Sequence, residues 1–418
     1  MFKRIIPYTI PEMEPGALSI ILKNTLSGKI KEGSELEEFE KRFAEYVGTK
    51  YAISVASGRA ALYYIYRFFL KDGQKVILPS YTCIPAIDAA RWAGGKPVFL
   101  DIDLNSYNPK FENSVEKERN VGAISLSYLY GLVGDIKPFL DYAKTNNIAV
   151  IEDSAIALGA SYKNKNVGSI GDAGVFSLQE SKIFTSWRGG VVTTNNKELY
   201  DYIKNIRDEQ EFPFTGKLLF NLSFSYKRKI LSNPNLYGST MYPLKKVMTS
   251  KKFKSILQNI MGFNPLESID GMSPLLMPKT DKFRFTNTQA AVALLSLNRI
   301  NKIIRKRRKS AKFLSDELKS IVDVPIEGKD VRHAYGRFPI RISGKSKFSL
   351  HNHFLKRGIE TSLNYPYIIP KTKFMINYKH VKFPNSQKAS NETLLLPFHT
   401  YLKDKDLEII VKAVKELK

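Results

Sequence analysis

The sequence predicts an α/β fold: a mostly parallel sheet with helices on both faces, followed by a smaller C-terminal α+β domain. The first observation is a series of short, continuous apolar runs, which are typical of strands buried on both faces. The second is that helical patterns separate these runs, as in an α/β domain. The third is a change near residue 280, beyond which short strands and helices mix. We therefore expect a large domain at residues 1–280, and a linking helix with a smaller domain at residues 281–418.

The elements follow in chain order. Residues 13–47 predict two helices around a glycine break, and the second of them ends before Gly48. The strand-like runs cover residues 51–58, 75–80, 96–103, 122–129, 148–153, 173–178 and 189–194. Helical patterns cover residues 59–70 and 135–145, and one long amphipathic helix is predicted over residues 288–318.

Residues 212–266 differ from the rest of the large domain. They contain no acidic residue, and aromatic side chains are interleaved with basic ones. We expect an insertion that forms an elaborated surface or a dimer contact. Lysines combined with aromatics also suit an anionic membrane surface or a polyprenyl-linked sugar, and that second interpretation stays open.

The composition excludes several classes of function. Of the 418 residues, 43% are hydrophobic and 25% charged, which is typical of globular proteins. The net charge of +25 would suit nucleic acid, but no zinc-finger spacing, RNP-type aromatic motif or basic-region heptad occurs. Acidic substrates such as nucleotide diphosphates also favour a basic surface, so we do not expect nucleic acid as the main partner.

Cysteine and histidine usage narrows the chemistry further. The single cysteine, Cys83, excludes an intrachain disulfide and a multi-cysteine metal site, and it suits the reducing cytosol. All histidines lie beyond residue 330, which excludes a Ser-His-Asp hydrolase centred on the N-terminal half. We expect no metal. Because no apolar run approaches about 18 residues, we expect a cytoplasmic protein, with peripheral attachment at the inner membrane face if residues 212–266 bind lipid.

Chemically active residues follow the predicted strands, at the edge where α/β sheets bind ligands. Residues 57–62 form a glycine turn that opens a helix and so suits a phosphate. Asp153 ends one strand, Ser177 and Lys182 follow the next, and residues 188–190 bring two glycines. Together these groups fit pyridoxal phosphate (PLP), which needs an amine, a carboxylate for its ring nitrogen and donors for its phosphate. A desolvated lysine near positive charge has a lowered pKa and can act as nucleophile and proton carrier.

The ordered series of motifs resembles the DegT/DnrJ/EryC1/StrS aminotransferases, which make amino sugars on nucleotide carriers. The stretches that carry the resemblance are residues 26–62, 76–103, 128–182, 283–300 and 358–366. The resemblance implies a fold type I, PLP-dependent transaminase with a seven-stranded sheet. It also implies a nucleotide-linked keto sugar as substrate, glutamate or glutamine as amino donor, and a homodimer with shared active sites. The product would be an amino sugar for polysaccharide, lipopolysaccharide or glycan biosynthesis.

The resemblance further implies roles for individual residues. Lys182 occupies the position of the Schiff-base lysine, and Asp153 that of the carboxylate at the ring nitrogen. Lys282 aligns with an asparagine that reaches the neighbouring subunit's cofactor phosphate. The phosphate site corresponds to Ser177 and to the backbone of Arg59 and Ala60 after Gly58.

Several positions around the expected cofactor depart from the family pattern. Ile156 stands where Gln or His usually contacts the cofactor, and Gln179 replaces a common His. Cys83 falls where an aromatic residue often stacks on the ring, so that Tyr81 or Tyr128 would have to substitute. These departures leave two alternative functions open. The protein could be a PLP enzyme that catalyses a different reaction, such as dehydration or transfer to another acceptor, or a non-catalytic regulator that keeps a relic of the site. Because related dehydratases carry His in place of the lysine, the retained Lys182 favours amino transfer.

Overall fold

The structure is a computed structural model that describes residues 4–249, 276–363, 365–372, 375 and 381–417. The basic and aromatic segment predicted at residues 212–266 is thus described as far as residue 249, and its remainder lies outside the described residues. Within the described part of the chain, no helix is long and apolar enough to cross a membrane.

The centre of the molecule is a seven-stranded sheet. Its strands are β1 (Tyr51–Val55), β2 (Lys75–Pro79), β3 (Lys96–Leu100), β4 (Val121–Ser127), β5 (Ala149–Asp153), β8 (Ala173–Ser177) and β9 (Gly190–Thr194), in the order β1-β9-β8-β5-β4-β2-β3. The five strands from β8 to β3 pair in parallel, and β9 pairs antiparallel with both of its neighbours. The prediction of a mostly parallel sheet is confirmed. Two short strands, β6 (Ser161–Tyr162) and β7 (Lys165–Asn166), lie between β5 and β8 in the chain.

Helices cover both faces of the sheet, because consecutive strand residues are apolar and point to opposite sides. In β5, for example, Ile151 belongs to one hydrophobic core and Val150 to the other. The first core is covered by α3 (Gly58–Phe69), α4 (Ile84–Trp92) and α7 (Lys197–Asp208). The second is covered by α2 (Ser34–Val47) and α6 (Lys137–Asn146). The remaining helices of this region are α1 (Ala17–Leu26) and the short α5 (Ser114–Lys117).

The described part of the basic and aromatic segment is helical, with α8 (Thr215–Leu231), α9 (Pro234–Tyr237) and α10 (Met241–Thr249). One side of α8 packs on α1, where Leu218 and Leu222 are buried against Ala17 and Ile21. The opposite side leaves aromatic rings in solvent, including Phe220, which is 66% exposed. The helix α8 is therefore fixed to the body of the protein by one face.

The prediction of one continuous helix over residues 288–318 is wrong. The chain forms α11 (Asn287–Leu297) and α12 (Ile300–Leu318), which are separated by a turn at Asn298 and Arg299. Nearly every residue of α11 is buried, whereas α12 buries one side and exposes a row of basic residues. The turn lets the apolar helix run into the second core while the amphipathic helix continues along the surface.

The C-terminal region mixes short elements, as the sequence predicts. They are β10 (Val331–Arg332), β11 (Phe338–Arg341), α13 (Lys347–Lys356), α14 (Pro384–Glu392), β12 (Thr393–Leu396) and α15 (Asp404–Lys415). β11 and β12 form an antiparallel pair, and β10 extends the small sheet of β6 and β7. Short 3-10 helices occur at Leu129–Gly131, Lys279–Asp281 and Ile369–Lys371.

Candidate active site

Asp153, Lys182 and Cys83 meet beyond the carboxyl ends of the strands. Asp153 is the last residue of β5, Lys182 lies in the loop after β8, and Cys83 immediately precedes α4. Burial raises the pKa of Asp153, while the Ala155 N–H at 3.2 Å and the charge of Lys182 act in the opposite direction. The sequence placed these groups at strand ends, and the fold brings them within electrostatic reach of one another.

The pKa of Lys182 is lowered from its ordinary value of 10.5. Burial of the side chain is the main cause, and the charge of Arg337 acts in the same direction. The charge of Asp153 counteracts the shift without reversing it. The fold therefore favours the neutral, nucleophilic amine.

Cys83 is a protonated thiol at neutral pH. Burial raises its pKa to about 11, and the charge of Asp153 adds to this effect. The thiol is consequently a small, uncharged wall of the pocket and a poor nucleophile.

The two tyrosines considered as ring platforms lie in different places. Tyr128 donates its hydroxyl proton to Glu152 Oε2 at 2.8 Å on the opposite face of the sheet, so it cannot substitute for an aromatic residue at Cys83. Tyr81 is buried beside the site, where its hydroxyl oxygen accepts the Tyr365 N–H at 3.2 Å. The wall on this side is therefore aromatic.

Two tyrosines that were not predicted as site residues, Tyr365 and Tyr367, also lie next to Cys83. Burial raises the pKa of both Tyr365 and Tyr367, and both side chains lie within electrostatic reach of Cys83. The Tyr365 ring packs edge-on against Tyr81, with centroids 5.8 Å apart. The signal was present as two tyrosines flanking a proline, but their approach to β5 depends on the tertiary fold.

An anion-binding corner forms where α3 begins beside Ser177. The first N–H groups of a helix lack intrahelical partners, and here the Ser57 hydroxyl accepts the Ala60 N–H at 3.1 Å. A Cβ on Gly58 would lie 3.2 Å from the Ser177 Cβ, and one on Gly190 would lie 2.4 Å from the Ser57 carbonyl. Glycine at both positions lets the helix start and the serine hydroxyl come together.

A buried carboxylate next to this corner was not predicted. Asp281 is fully buried; it accepts a hydrogen bond from the Ser57 hydroxyl at 2.8 Å and one from Arg59 Nε at 2.7 Å. The guanidinium of Arg188 also donates to it. Asp281 thus engages both Arg59 and Arg188, and Asp88 lies 3.9 Å from the Arg59 guanidinium. Because both arginines are held by carboxylates, we assign the main contact with a bound phosphate to the backbone of α3.

Three other positions predicted to contact the cofactor are Ile156, Gln179 and Lys282. Ile156 packs its side chain against Gly336, where an added Cβ would lie 2.4 Å from Ile156 Cγ1. The Gln179 side chain is exposed, and its backbone N–H is 3.5 Å from Ser177 Oγ. Lys282 is exposed and follows the buried Asp281 directly.

The groups present fit pyridoxal phosphate. A desolvated amine and a buried carboxylate share one pocket, and an anion-binding helix start adjoins it, with space kept open by Gly58. This is the donor set that the cofactor requires. Among the residues that the structure describes, no cluster of three or more His, Cys, Asp or Glu side chains could hold a metal ion.

Two carboxylates connect the basic and aromatic segment to the site. Glu180, two residues before Lys182, accepts hydrogen bonds from Ser225 and Arg228 of α8. Glu360 accepts the Tyr237 hydroxyl at 2.9 Å and the Tyr8 N–H at 2.9 Å, and it forms an ion pair with Lys245. Glu180 therefore ties α8 to the loop that carries Lys182, and Glu360 ties α9 and α10 to the C-terminal region.

A family model matches most of the chain. The DegT/DnrJ/EryC1/StrS aminotransferase family model covers residues 17–216 and 276–415. The unmatched stretch between these two parts, residues 217–275, contains most of the basic and aromatic segment. The core that carries Asp153 and Lys182 lies entirely in the matched part.

Two characterised relatives align along nearly the whole chain. The chain is 26% identical over 388 residues to GDP-perosamine synthase of Escherichia coli O157:H7, covering 92% of this chain and 90% of the relative. It is 28% identical over 388 residues to dTDP-3-amino-3,6-dideoxy-alpha-D-galactopyranose transaminase of Aneurinibacillus thermoaerophilus, covering 91% and 90%.

The fold agrees with solved structures. The model matches Helicobacter pylori PseC, an aminotransferase involved in the biosynthesis of pseudoaminic acid, with a TM-score of 0.77. The match covers 99% of this chain and 98% of the other at 20% sequence identity, so the likeness concerns the fold.

Proposed function

Because the chain belongs to the DegT/DnrJ/EryC1/StrS aminotransferase family and is a PLP-dependent aminotransferase, we propose that it converts a nucleotide-linked keto sugar to an amino sugar. The names of the two characterised relatives, which are a perosamine synthase and an amino-sugar transaminase, support this substrate class. Glutamate or glutamine is the proposed amino donor, and polysaccharide, lipopolysaccharide or glycan biosynthesis is the proposed use of the product.

The observation that carries the proposal is the proximity of the Lys182 amine to the Asp153 carboxylate, each of which affects the pKa of the other. The bound cofactor supplies an electron sink that stabilises negative charge on the carbon that loses a proton. Asp153, a carboxylate at the end of β5, holds a proton on the ring nitrogen. Lys182, whose pKa is lowered by burial, would hold the cofactor through its amine, and once released it would move a proton between carbon atoms as general base and acid. Ser177 and the backbone N–H of Arg59 would hold the phosphate, whereas the Ala60 N–H, also expected there, is capped by the Ser57 hydroxyl.

Replacement of the lysine tests the assignment. Lys182→Ala should abolish turnover and the visible absorbance of the lysine–cofactor bond, whereas the exposed-residue control Lys144→Ala should keep both. The measurement is an absorbance spectrum of each protein after incubation with the cofactor, together with transfer of nitrogen to keto-sugar nucleotides. A Lys182→Ala protein that kept the wild-type band would overturn the assignment.

A homodimer with shared active sites is proposed on the position of Lys282. The side chain is exposed directly beside Asp281, which is anchored to Ser57 and Arg59. If Lys282 reaches the other subunit's phosphate, mixing the impaired variants Lys182→Ala and Lys282→Ala creates hybrid dimers with one intact site. Activity should then recover on mixing. Absence of recovery, or a monomer by sedimentation, would contradict shared sites.

We also propose a cytoplasmic enzyme that contacts an anionic membrane surface through residues 212–266. The exposed Phe220 and Ile230 share α8 with the exposed Lys217 and Lys227, a combination that suits an anionic bilayer. Cosedimentation should be stronger with vesicles containing anionic lipid than with zwitterionic vesicles, and it should weaken with added salt. Equal binding to both vesicles, or none, would assign the aromatic face to a protein contact instead.

Another reaction outcome remains a second candidate because of Ile156. Its side chain packs against Gly336 and offers no hydrogen bond to a cofactor. Incubation of the holoenzyme with glutamate discriminates between the two. Conversion of the cofactor to its amine form supports aminotransfer, whereas an unchanged spectrum combined with consumption of the sugar nucleotide supports dehydration or another acceptor.

A further inference from the structure

The buried arginines of the protein differ in how their charge is balanced. In the described part of the chain they are Arg207, Arg307, Arg337 and Arg341. Three of them form ion pairs with carboxylates, namely Arg207 with Glu40 at 2.7 Å, Arg307 with Glu12 at 2.8 Å and Arg341 with Asp323 at 2.8 Å. Arg337, which is 7% exposed, forms no ion pair with any described residue. Burying a charge without a counter-ion costs free energy. We therefore expect Arg337 to bind an anion that is not part of the chain.

The guanidinium of Arg337 is held by neutral groups. It donates to the carbonyl oxygen of Ser181, and to that of Gly336 at 2.8 Å. The ring centroid of Tyr8 lies 5.5 Å from the guanidinium, and the charge of Arg337 acts on the Tyr8 hydroxyl. Because burial raises the pKa of that hydroxyl, Tyr8 brings no negative charge at neutral pH. A guanidinium has five N–H donors and two of them are used here, so three remain for a ligand.

Arg337 belongs to the lysine pocket and not to the phosphate corner. Its hydrogen bond to Ser181 places it against the residue that precedes Lys182, and its charge lowers the pKa of Lys182. The two arginines nearest the start of α3, Arg59 and Arg188, are engaged by Asp281. The nearby carboxylate of Glu360 is paired with Lys245 from α10.

An amino-acid donor brings an anion to this position. Its amine must reach the cofactor carbon that Lys182 occupies, and its α-carboxylate is attached to the same carbon atom as that amine. A planar carboxylate matches two parallel N–H groups of a guanidinium. Resting on the proposed aminotransferase function, we propose that Arg337 binds the α-carboxylate of the amino donor, and that Tyr8 and the Ser181 carbonyl are positioning groups for the guanidinium.

The test separates the donor half of the reaction from the acceptor half. In single-turnover experiments with the holoenzyme, Arg337→Gln should slow conversion of the cofactor by glutamate by about 10- to 100-fold in kcat/KM, the usual range for a hydrogen bond to a charged group. Arg337→Lys should fall between wild type and Arg337→Gln. With 4-aminobutyrate, which is glutamate without the α-carboxylate, wild type and Arg337→Gln should react at the same low rate. The visible spectrum of the loaded variant should match wild type.

Three outcomes would overturn the proposal. Equal losses with glutamate and 4-aminobutyrate would mean that Arg337 positions Lys182. A loss confined to the sugar-nucleotide acceptor, measured from the amine form of the cofactor, would assign Arg337 to a nucleotide phosphate. If Arg337→Gln reacted with glutamate at the wild-type rate, Arg337 would have no role in donor binding.

Two controls keep the experiment decisive. Arg341→Gln, a buried arginine in another ion pair, should lower the melting temperature without changing the glutamate half-reaction of the folded protein. If Arg337→Gln fails to fold, wild type can be assayed with the α-amide of glutamate. That donor should lose a similar factor, and reaction at the glutamate rate would refute the proposal. Failure of wild type with every amino-acid donor would instead refute the proposed function.

Discussion

Glu152 and Asp153 are adjacent at the end of β5, yet their carboxylates face opposite sides of the central sheet. Glu152 accepts four hydrogen bonds, from the N–H groups of Gly168 at 2.9 Å, Ile170 at 2.7 Å and Gly171 at 2.8 Å, and from the Tyr128 hydroxyl at 2.8 Å. Asp153 accepts one from the described residues, the Ala155 N–H at 3.2 Å. Both carboxylates are buried.

The difference teaches which buried charges serve the fold and which serve a ligand. Glu152 ties the loop after β7 to the sheet, and its carboxylate oxygens have little capacity left to accept hydrogen bonds from a ligand. Asp153 keeps its capacity and shares its pocket with Lys182. Arg337 differs from the other buried arginines in the same way. A buried charge that the chain leaves poorly satisfied is the better guide to function.

Among these tests of the contrast between Glu152 and Asp153, we expect the largest loss of kcat from Asp153→Asn. Loss of the charge that holds the ring-nitrogen proton should reduce kcat by at least about 10²-fold, as for other preorganised electrostatic groups. The melting temperature should not fall, because the carboxylate has few bonds to lose. Steady-state kinetics and a thermal melt check both expectations, and a variant that melts early with normal kcat would break the comparison.

Glu152→Gln should show the opposite pattern. An amide in place of the carboxylate turns one acceptor into a donor among three N–H groups, which should cost about 1–3 kcal/mol of unfolding free energy. Denaturant titration measures this loss, and kcat per folded molecule should stay near the wild-type value. A fall in kcat that matches Asp153→Asn would show that the two faces of the sheet are not functionally distinct.

A pH profile should report the environment of Lys182. Cofactor uptake by the apoprotein requires the neutral amine, so its rate should rise with pH and level off below pH 10.5, the ordinary pKa of lysine, because burial lowers the pKa of Lys182. Arg337→Gln removes a positive charge that lowers this pKa, so the profile should move to higher pH. Stopped-flow absorbance measures the rate, and a shift to lower pH would contradict the assigned proximity.

The smallest effect concerns Cys83, the single cysteine. With a pKa of about 11, the native thiol should react with iodoacetamide about 10²-fold more slowly than an ordinary cysteine. The unfolded protein is the control and should react at the ordinary rate. Rapid modification of the native protein would show that the pocket wall is open or that the thiol is ionised.

The sequence was most informative where local order determines position. Alternating apolar runs and helical patterns predict the sheet, and the sheet edge brings Asp153 and Lys182 together because parallel strands end on one side. Local pattern could not show the turn at Asn298, because no glycine or proline interrupts the sequence there. Asp281 and Arg337 were missed for another reason: their partners, Arg59 and Ser181, lie more than 150 residues away in the chain.

The account depends most on Lys182 as the residue that bonds the cofactor. Treatment of the holoenzyme with borohydride reduces the carbon–nitrogen double bond between lysine and cofactor and makes the link permanent. Peptide mass spectrometry should then find the cofactor on the peptide that contains Lys182 and on no other lysine. A stable adduct on a different lysine, with Lys182 unmodified, would contradict the account.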